Sequence, residues 1–176
     1  DKETNELFHF SKPITKDIKL EGKYEYISNL AGGEEGKYYD FSNLTKQDKW
    51  ILTKYENIVK STISHMDKYE FNLVGAETYE FVWDDFCSNY IEFAKFNQDS
   101  ITTKSVLCYV LTGILKLLHP FMPFVTEEIY NMLPIKDSES IMISSYPKCN
   151  EEFIFEDNSL DLIIDLLQVN PKRKLV

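Results

Sequence analysis

The chain is 176 residues long, 43% hydrophobic and 27% charged, with only 6 Gly and 6 Pro, which suits one folded unit with a real core and excludes collagen-like and low-complexity chains. Its 19 basic and 29 acidic residues give a net charge of −10, and Arg occurs only at position 173. That balance counts against a free-standing RNA-binding module, because a lone guanidinium offers little bidentate phosphate or guanine recognition and the overall field repels polyanions. Any contact with RNA must come from a local patch.

The three cysteines, Cys87, Cys108 and Cys149, are widely spaced and form no CxxC pair, so they fit neither a disulfide framework nor a structural zinc site. The opening DKETNELFHF lacks the basic start and apolar run of a signal peptide, and a cytoplasmic location is the expectation. The most apolar stretch, Ser105–Leu118, is interrupted by Lys116 and falls short of the ~20 apolar residues of a membrane span. It is predicted to be a buried helix, with no membrane partner.

Residues 1–44 mix Pro13, Gly22, Gly32, Gly33 and Gly36 with scattered charges and predict an irregular or partly extended lead-in. Residues 45–176 turn helical. Thr45 and Asp48 stand in capping-box spacing before an apolar stripe of Ile51, Leu52, Tyr55, Ile58, Val59, Ile63 and Met66, one face of a six-turn helix. A second helix, Asn72–Phe96, carries Tyr79, Val82, Trp83, Phe86, Tyr90, Phe93 and Ala94 at helical spacing. A third, Thr102–Leu118, is apolar nearly all round and belongs in the centre of a bundle. Pro120 biases His119 away from helical angles. Pro123 suits the first turn of a fourth helix, carried by Val125, Ile129, Met132 and Leu133. A short β-prone piece, Ile141–Tyr146, and an amphipathic segment, Leu160–Val169, complete the pattern. The predicted fold is an all-α up-and-down helical bundle with a small extended element near 140–147.

No catalytic motif is present: there is no Gly-rich phosphate loop, GxSxG or HExxH, and His9, His65 and His119 lie in unrelated contexts. The pairs Asp84–Asp85 and Glu127–Glu128 are adjacent on a helix and point about 100° apart, which reads as solvated surface. Glu77, Glu80 and Asp84 do share a face, and their partners must come from another helix or a neighbouring domain. No catalytic or metal-ligating residue and no cofactor is expected in this chain. Two basic groups remain: Lys49, Asn57 and Lys60, with Lys46, on the polar face of the first helix, and Lys172, Arg173 and Lys174 near the end. Lys ammonium groups there can touch a phosphate backbone without reading sequence, or simply solvate an outer face.

Three segments resemble the anticodon-binding helical bundle of class I aminoacyl-tRNA synthetases, of the valyl-tRNA synthetase type. They are QDKWILTKYENIVKSTISHMDKYEFN (47–72), YEFVWDDFCSNYIEFAKFN (79–97), and LLHPFMPFVTEEIYNML (117–133) with SIMISSYP (140–147). HPFMPFVTEEIY recurs across the isoleucyl, leucyl and valyl enzymes, whereas Val82–Lys95 resembles the valyl pattern, departing from it at Asn89 where that pattern has Trp. The resemblance implies a domain that docks a valine-accepting tRNA, with ATP-dependent aminoacylation performed by a catalytic domain of the same polypeptide. ATP is then a cofactor of the parent enzyme only, and DNA is not a partner. The alternatives are the same domain of an isoleucyl- or leucyl-tRNA synthetase, or an acidic helical protein-interaction module with no RNA role.

Overall fold

The computed structural model describes residues 39–157 and 159–169. Most of the predicted lead-in, together with Lys172, Arg173 and Lys174, lies outside the described residues. Six α-helices follow one another: α1 (Lys46–Asp67), α2 (Phe71–Glu80), α3 (Ile91–Ala94), α4 (Ile101–Leu118), α5 (Pro123–Met132) and α6 (Ser159–Val169). A π-helical stretch, Phe81–Tyr90, fuses α2 to α3, and a 3-10 turn, Lys95–Asn97, closes that rod. No strand occurs among the described residues. The fold is an all-α bundle, as the periodicity predicted.

The capping box is present: Thr45 Oγ1 accepts the Asp48 N–H at 3.2 Å, and Asp48 Oδ2 accepts the Thr45 N–H at 3.0 Å. Yet Asp48 does more than cap. It is fully buried, its Oδ1 accepts the Tyr90 hydroxyl at 2.6 Å, and its Oδ2 accepts the Thr103 hydroxyl at 3.3 Å. One carboxylate thus joins the start of α1 to the fused rod and to α4. Burial first, then the hydrogen bond to Asp48, pushes the Tyr90 phenol well above its usual range. At its other end α1 closes in a Schellman turn, with Tyr69 at φ 60° and the Glu70 N–H reaching the His65 carbonyl at 2.9 Å.

Around this frame Ile51, Leu52, Tyr55 and Val59 of α1 pack on Phe81, Phe86 and Tyr90 of the rod and on Val106, Val110, Ile114 and Leu117 of α4. Helix α4 has the length and apolarity of a membrane span, but 56% of it is buried inside the protein, which is the central position predicted for it. Gly113 makes room for the Tyr55 ring: a Cβ there would lie 2.0 Å from the Tyr55 hydroxyl oxygen and 2.5 Å from the ring edge.

The second rod corrects the sequence-based stripe. Val74, Thr78, Phe81, Phe86, Tyr90 and Ala94 are buried, whereas Tyr79 and Trp83 stand 66% and 60% exposed, stacked on each other with rings 3° from parallel. The buried positions step by four, three, five, four and four, and the step of five falls in the π-helical stretch, whose wider turn rotates the helix face. Ser88 and Asn89 donate side-chain hydrogen bonds to the carbonyls of Trp83 and Asp84, five residues back, at 2.7 and 2.8 Å.

Helix α5 is also turned relative to expectation. Thr126, Tyr130 and Leu133 are buried, and Val125, Ile129 and Met132 are exposed. The buried hydroxyls explain this: Thr126 donates to the Met122 carbonyl at 2.8 Å, and Tyr130 donates to Asp137 Oδ1 at 2.5 Å. His119 keeps helical angles despite Pro120, because the Phe121 and Met122 N–H groups both reach the Leu118 carbonyl at 2.9 Å and carry the coil through the proline. The small extended element near 140–147 takes the form of a 3-10 turn, Ile141–Ile143, between extended Ser140 and Ser144. Glu127 fixes it, accepting the Ser140 hydroxyl at 2.9 Å and the Ile141 N–H at 3.2 Å, so this carboxylate is a loop anchor and not solvated surface.

Three outcomes follow from this packing. Tyr90→Phe leaves an acceptor of the buried Asp48 carboxylate unmet and is expected to lower unfolding free energy by about 1–3 kcal/mol in a denaturant titration. Gly113→Ala forces the Tyr55 ring to move and is expected to destabilise by about 1–3 kcal/mol despite the better helix propensity of Ala. Burial raises the Asp137 carboxyl, but the Lys116 ammonium and the Tyr130 and Ser144 hydroxyls outweigh it and hold the group at about 2, below its ordinary 3.8. Its stabilisation is therefore complete above pH 3.8 and lost as pH falls through about 2. Asp137→Asn should flatten acid unfolding across that window, read by circular dichroism.

Candidate nucleic-acid interface

Helix α1 positions the first basic group. Lys46, Lys49, Asn57 and Lys60 are all exposed, as an outward face at helical spacing requires. The structure nevertheless divides this face in two. Residues 149–157, with a 3-10 turn at Glu151–Phe153, form a strap that runs antiparallel along it. The Asn150 N–H donates to Glu56 Oε2 at 2.7 Å, Thr53 Oγ1 donates to the Phe153 carbonyl at 3.3 Å, and the Phe155 N–H donates back to Thr53 Oγ1 at 3.0 Å. Phe153 packs among Phe41 and Tyr109.

The N-terminal half of the face is consequently occupied. The Lys49 ammonium sits over the Phe155 ring, 5.4 Å from its centre. Hydrogen bonds from Ser159 hold the Asp157 carboxyl below its ordinary range, and the nearby charges of Lys46 and Lys49 act in the same sense. Lys54 is engaged too, 3.0 Å from Asp161 and 4.0 Å from Asp85, with Trp50 Nε1 donating to the same Asp161 at 3.0 Å. Burial raises the Asp85 carboxyl even against the pull of Lys54. Asp85 is therefore a partly buried ion-pair member, which corrects its reading as solvated surface.

The C-terminal half stays open. Asn57 and Lys60 are exposed there, and the exposed Lys68 is the C-cap of the helix. Lys60 is close enough to Cys149 for its charge to act on that thiol, whose pKa is nevertheless raised, chiefly by burial and also by Glu56. The exposed Lys148 precedes Cys149 in the strap. Its neighbour Cys149 lies within reach of the Lys60 charge, and sequence spacing gave no sign of this because only the strap brings that stretch to α1.

Beneath the strap Glu56 is fully buried, accepting Asn150 N–H and the Tyr109 hydroxyl, the latter at 3.0 Å. Burial pushes its carboxyl above the ordinary range, against those two hydrogen bonds. It is a structural tether. The acidic face of the rod finds part of its partnership on α1, as expected: His65 Nδ1 lies 2.7 Å from Glu70, His65 Nε2 lies 3.2 Å from Glu77, and Ser61 donates to Glu77 at 2.5 Å. Glu80 and Asp84 point outward. Among the described residues no group of three or more His, Cys, Asp or Glu could hold a metal ion.

What this geometry offers is a short patch of ammonium and amide groups on a rigid helix, able to hold phosphates by charge without reading bases. Comparison with known proteins agrees with a role in tRNA handling. Residues 48–175 match the family described as the anticodon-binding domain of tRNA ligase. The valine–tRNA ligase of Halalkalibacterium halodurans is 43% identical over 127 residues, which is 68% of this chain and 14% of that protein. That of Listeria monocytogenes is 50% identical over 111 residues, 60% of this chain and 12% of that protein. The chain thus spans about one-seventh of the length of these relatives. With a match from Asp48, the buried hub of α1, to the end of the bundle, the chain belongs to the anticodon-binding domain family of tRNA ligases.

Proposed function

We propose that this chain is the tRNA-docking part of a valine–tRNA ligase, a cytoplasmic enzyme that joins valine to its tRNA at the expense of ATP. The amino-acid and ATP chemistry belongs to the remainder of such a ligase, and the bundle acts on rate by position: it holds the anticodon arm so that the acceptor end reaches a distant catalytic site. The observation that supports the valyl assignment is the 43–50% identity to valine–tRNA ligases across the bundle. That identity also speaks against the isoleucyl and leucyl readings. Family membership leaves no support for an acidic protein-interaction module without an RNA role.

Within this reading the phosphate contacts are Lys60 and Lys148, with Asn57 and Lys68 beside them. Lys49 is assigned to the strap, since its ammonium is spent on Phe155. The bundle domain is assigned to residues 45–176, preceded by the lead-in 1–44. The C-terminal Lys172, Arg173 and Lys174 remain a second candidate patch.

The test has two arms. Aminoacylation by the full-length gene product should charge valine and not isoleucine or leucine; charging of either rival overturns the valyl assignment. In the same enzyme Lys60→Ala with Lys148→Ala should weaken tRNA binding and reduce the slope of log affinity against log salt by something under ~2, one unit per phosphate contact. Lys49→Ala should leave that slope alone, and valine activation should stay near wild type in all variants. An unchanged slope in the double variant removes this patch from the interface.

A further inference from the structure

Helix α5 exposes several large apolar side chains. Phe124 is 89% exposed, and Val125, Ile129 and Met132 are exposed with it. At about 100° per residue these four span an arc of about 140° on α5, opposite the buried face of Thr126, Tyr130 and Leu133. Glu127 ties the 3-10 turn to the same helix, and that turn adds Met142, 76% exposed, and Ile143. Isolated exposed apolar side chains need no explanation, but a cluster of six on one helix and its tethered turn marks a binding face.

The chemistry of the face selects its occupant. Helix α5 carries no Lys or Arg, and its exposed charge is Glu128, which lies within the apolar arc. A phosphate backbone has nothing to pair with there and one carboxylate to avoid. The open ammonium groups of the proposed tRNA-facing patch belong to α1 and to Lys148, just ahead of the strap, instead. A surface rich in Phe, Ile and Met with so little charge has the composition of the dry core of a permanent protein contact. The relatives carry about six-sevenths of their length outside the matched region, and in the ligase reading that length stands beside this bundle at high effective concentration.

We infer that the exposed face of α5, with the Ile141–Ile143 turn, is the seat of another domain of the same polypeptide, through an apolar surface of that domain. This rests on the ligase reading and gives it a geometry: tRNA approaches by α1, and the remainder of the enzyme is gripped through α5.

Three of the chain's 4 methionines, Met122, Met132 and Met142, lie on or beside this face, and Met66 ends α1, so methionine oxidation reads the contact directly. The 176-residue chain and the full-length gene product are treated with dilute hydrogen peroxide, and sulfoxide at each site is followed by mass spectrometry. Met132 and Met142 should oxidise rapidly in the chain and at least about tenfold more slowly in the full-length protein, with Met66 changing less than about twofold. Equal rates in both proteins overturn the inference. Protection that grows with concentration of the chain alone assigns the face to a second copy, and protection that needs added tRNA assigns it to RNA; either overturns it as well. A full-length protein that protects these methionines but charges isoleucine refutes the valyl reading while leaving the docking face intact.

Discussion

The bundle depends on one buried carboxylate. Asp48 sits where the first helix starts, and its two oxygens accept hydrogen bonds from Thr45 of its own cap, from Tyr90 of the fused rod and from Thr103 of α4. Among the described residues no cation forms an ion pair with it. A charge taken out of water is tolerated only when its lone pairs are filled, and here the donors come from three separate elements. Those elements cannot be displaced independently without stranding the carboxylate. The interaction that begins a helix therefore also sets the relative placement of three of them.

A second, smaller junction works by the same physics at the other end. Tyr130 is buried, yet its hydroxyl reaches Asp137, which is also held by the Lys116 ammonium at 2.6 Å and by Ser144. Thr126 and His119 meet at 2.8 Å where α4 turns into α5. These polar contacts turn α5 so that its hydroxyl-bearing face points inward. Its aliphatic face is left outside, where a domain partner can use it. The HPFMPFVTEEIY element thus serves as both a corner and a docking surface.

The functional surfaces differ in chemistry. The exposed cations Lys46, Lys49 and Lys60 lie on α1, exposed carboxylates lie on the outer side of the rod (Glu80, Asp84) and on the strap (Glu151, Glu152, Glu156, Asp157), and exposed apolar groups lie on α5. The strap sets its own carboxylates beside the α1 cations, Asp157 near Lys46 and Lys49, so the field over this face is mixed. The strap divides the α1 face, pairing Lys49 with the Phe155 ring.

Local sequence was enough to determine the principal helices, the Thr45–Asp48 capping box and the central place of α4, because capping chemistry and an all-round apolar pattern act over a single turn or a single element. The motifs of residues 47–72, 79–97 and 117–133 were likewise enough to place the chain among the tRNA ligase anticodon-binding domains. Which face each outer helix buries was decided only by the tertiary structure. A hydrophobic period counts Val125, Ile129 and Met132 as core and cannot register that Thr126 and Tyr130 bury well once their hydroxyls are paired. Nor can it register the five-residue step at Phe81–Phe86, which turns Tyr79 and Trp83 outward. The basic patch shows the same division. Periodicity put Lys49, Asn57 and Lys60 on one face, but the strap, held to α1 by hydrogen bonds spanning about a hundred residues of sequence, set Phe155 against the Lys49 ammonium and brought Cys149 within reach of the Lys60 charge.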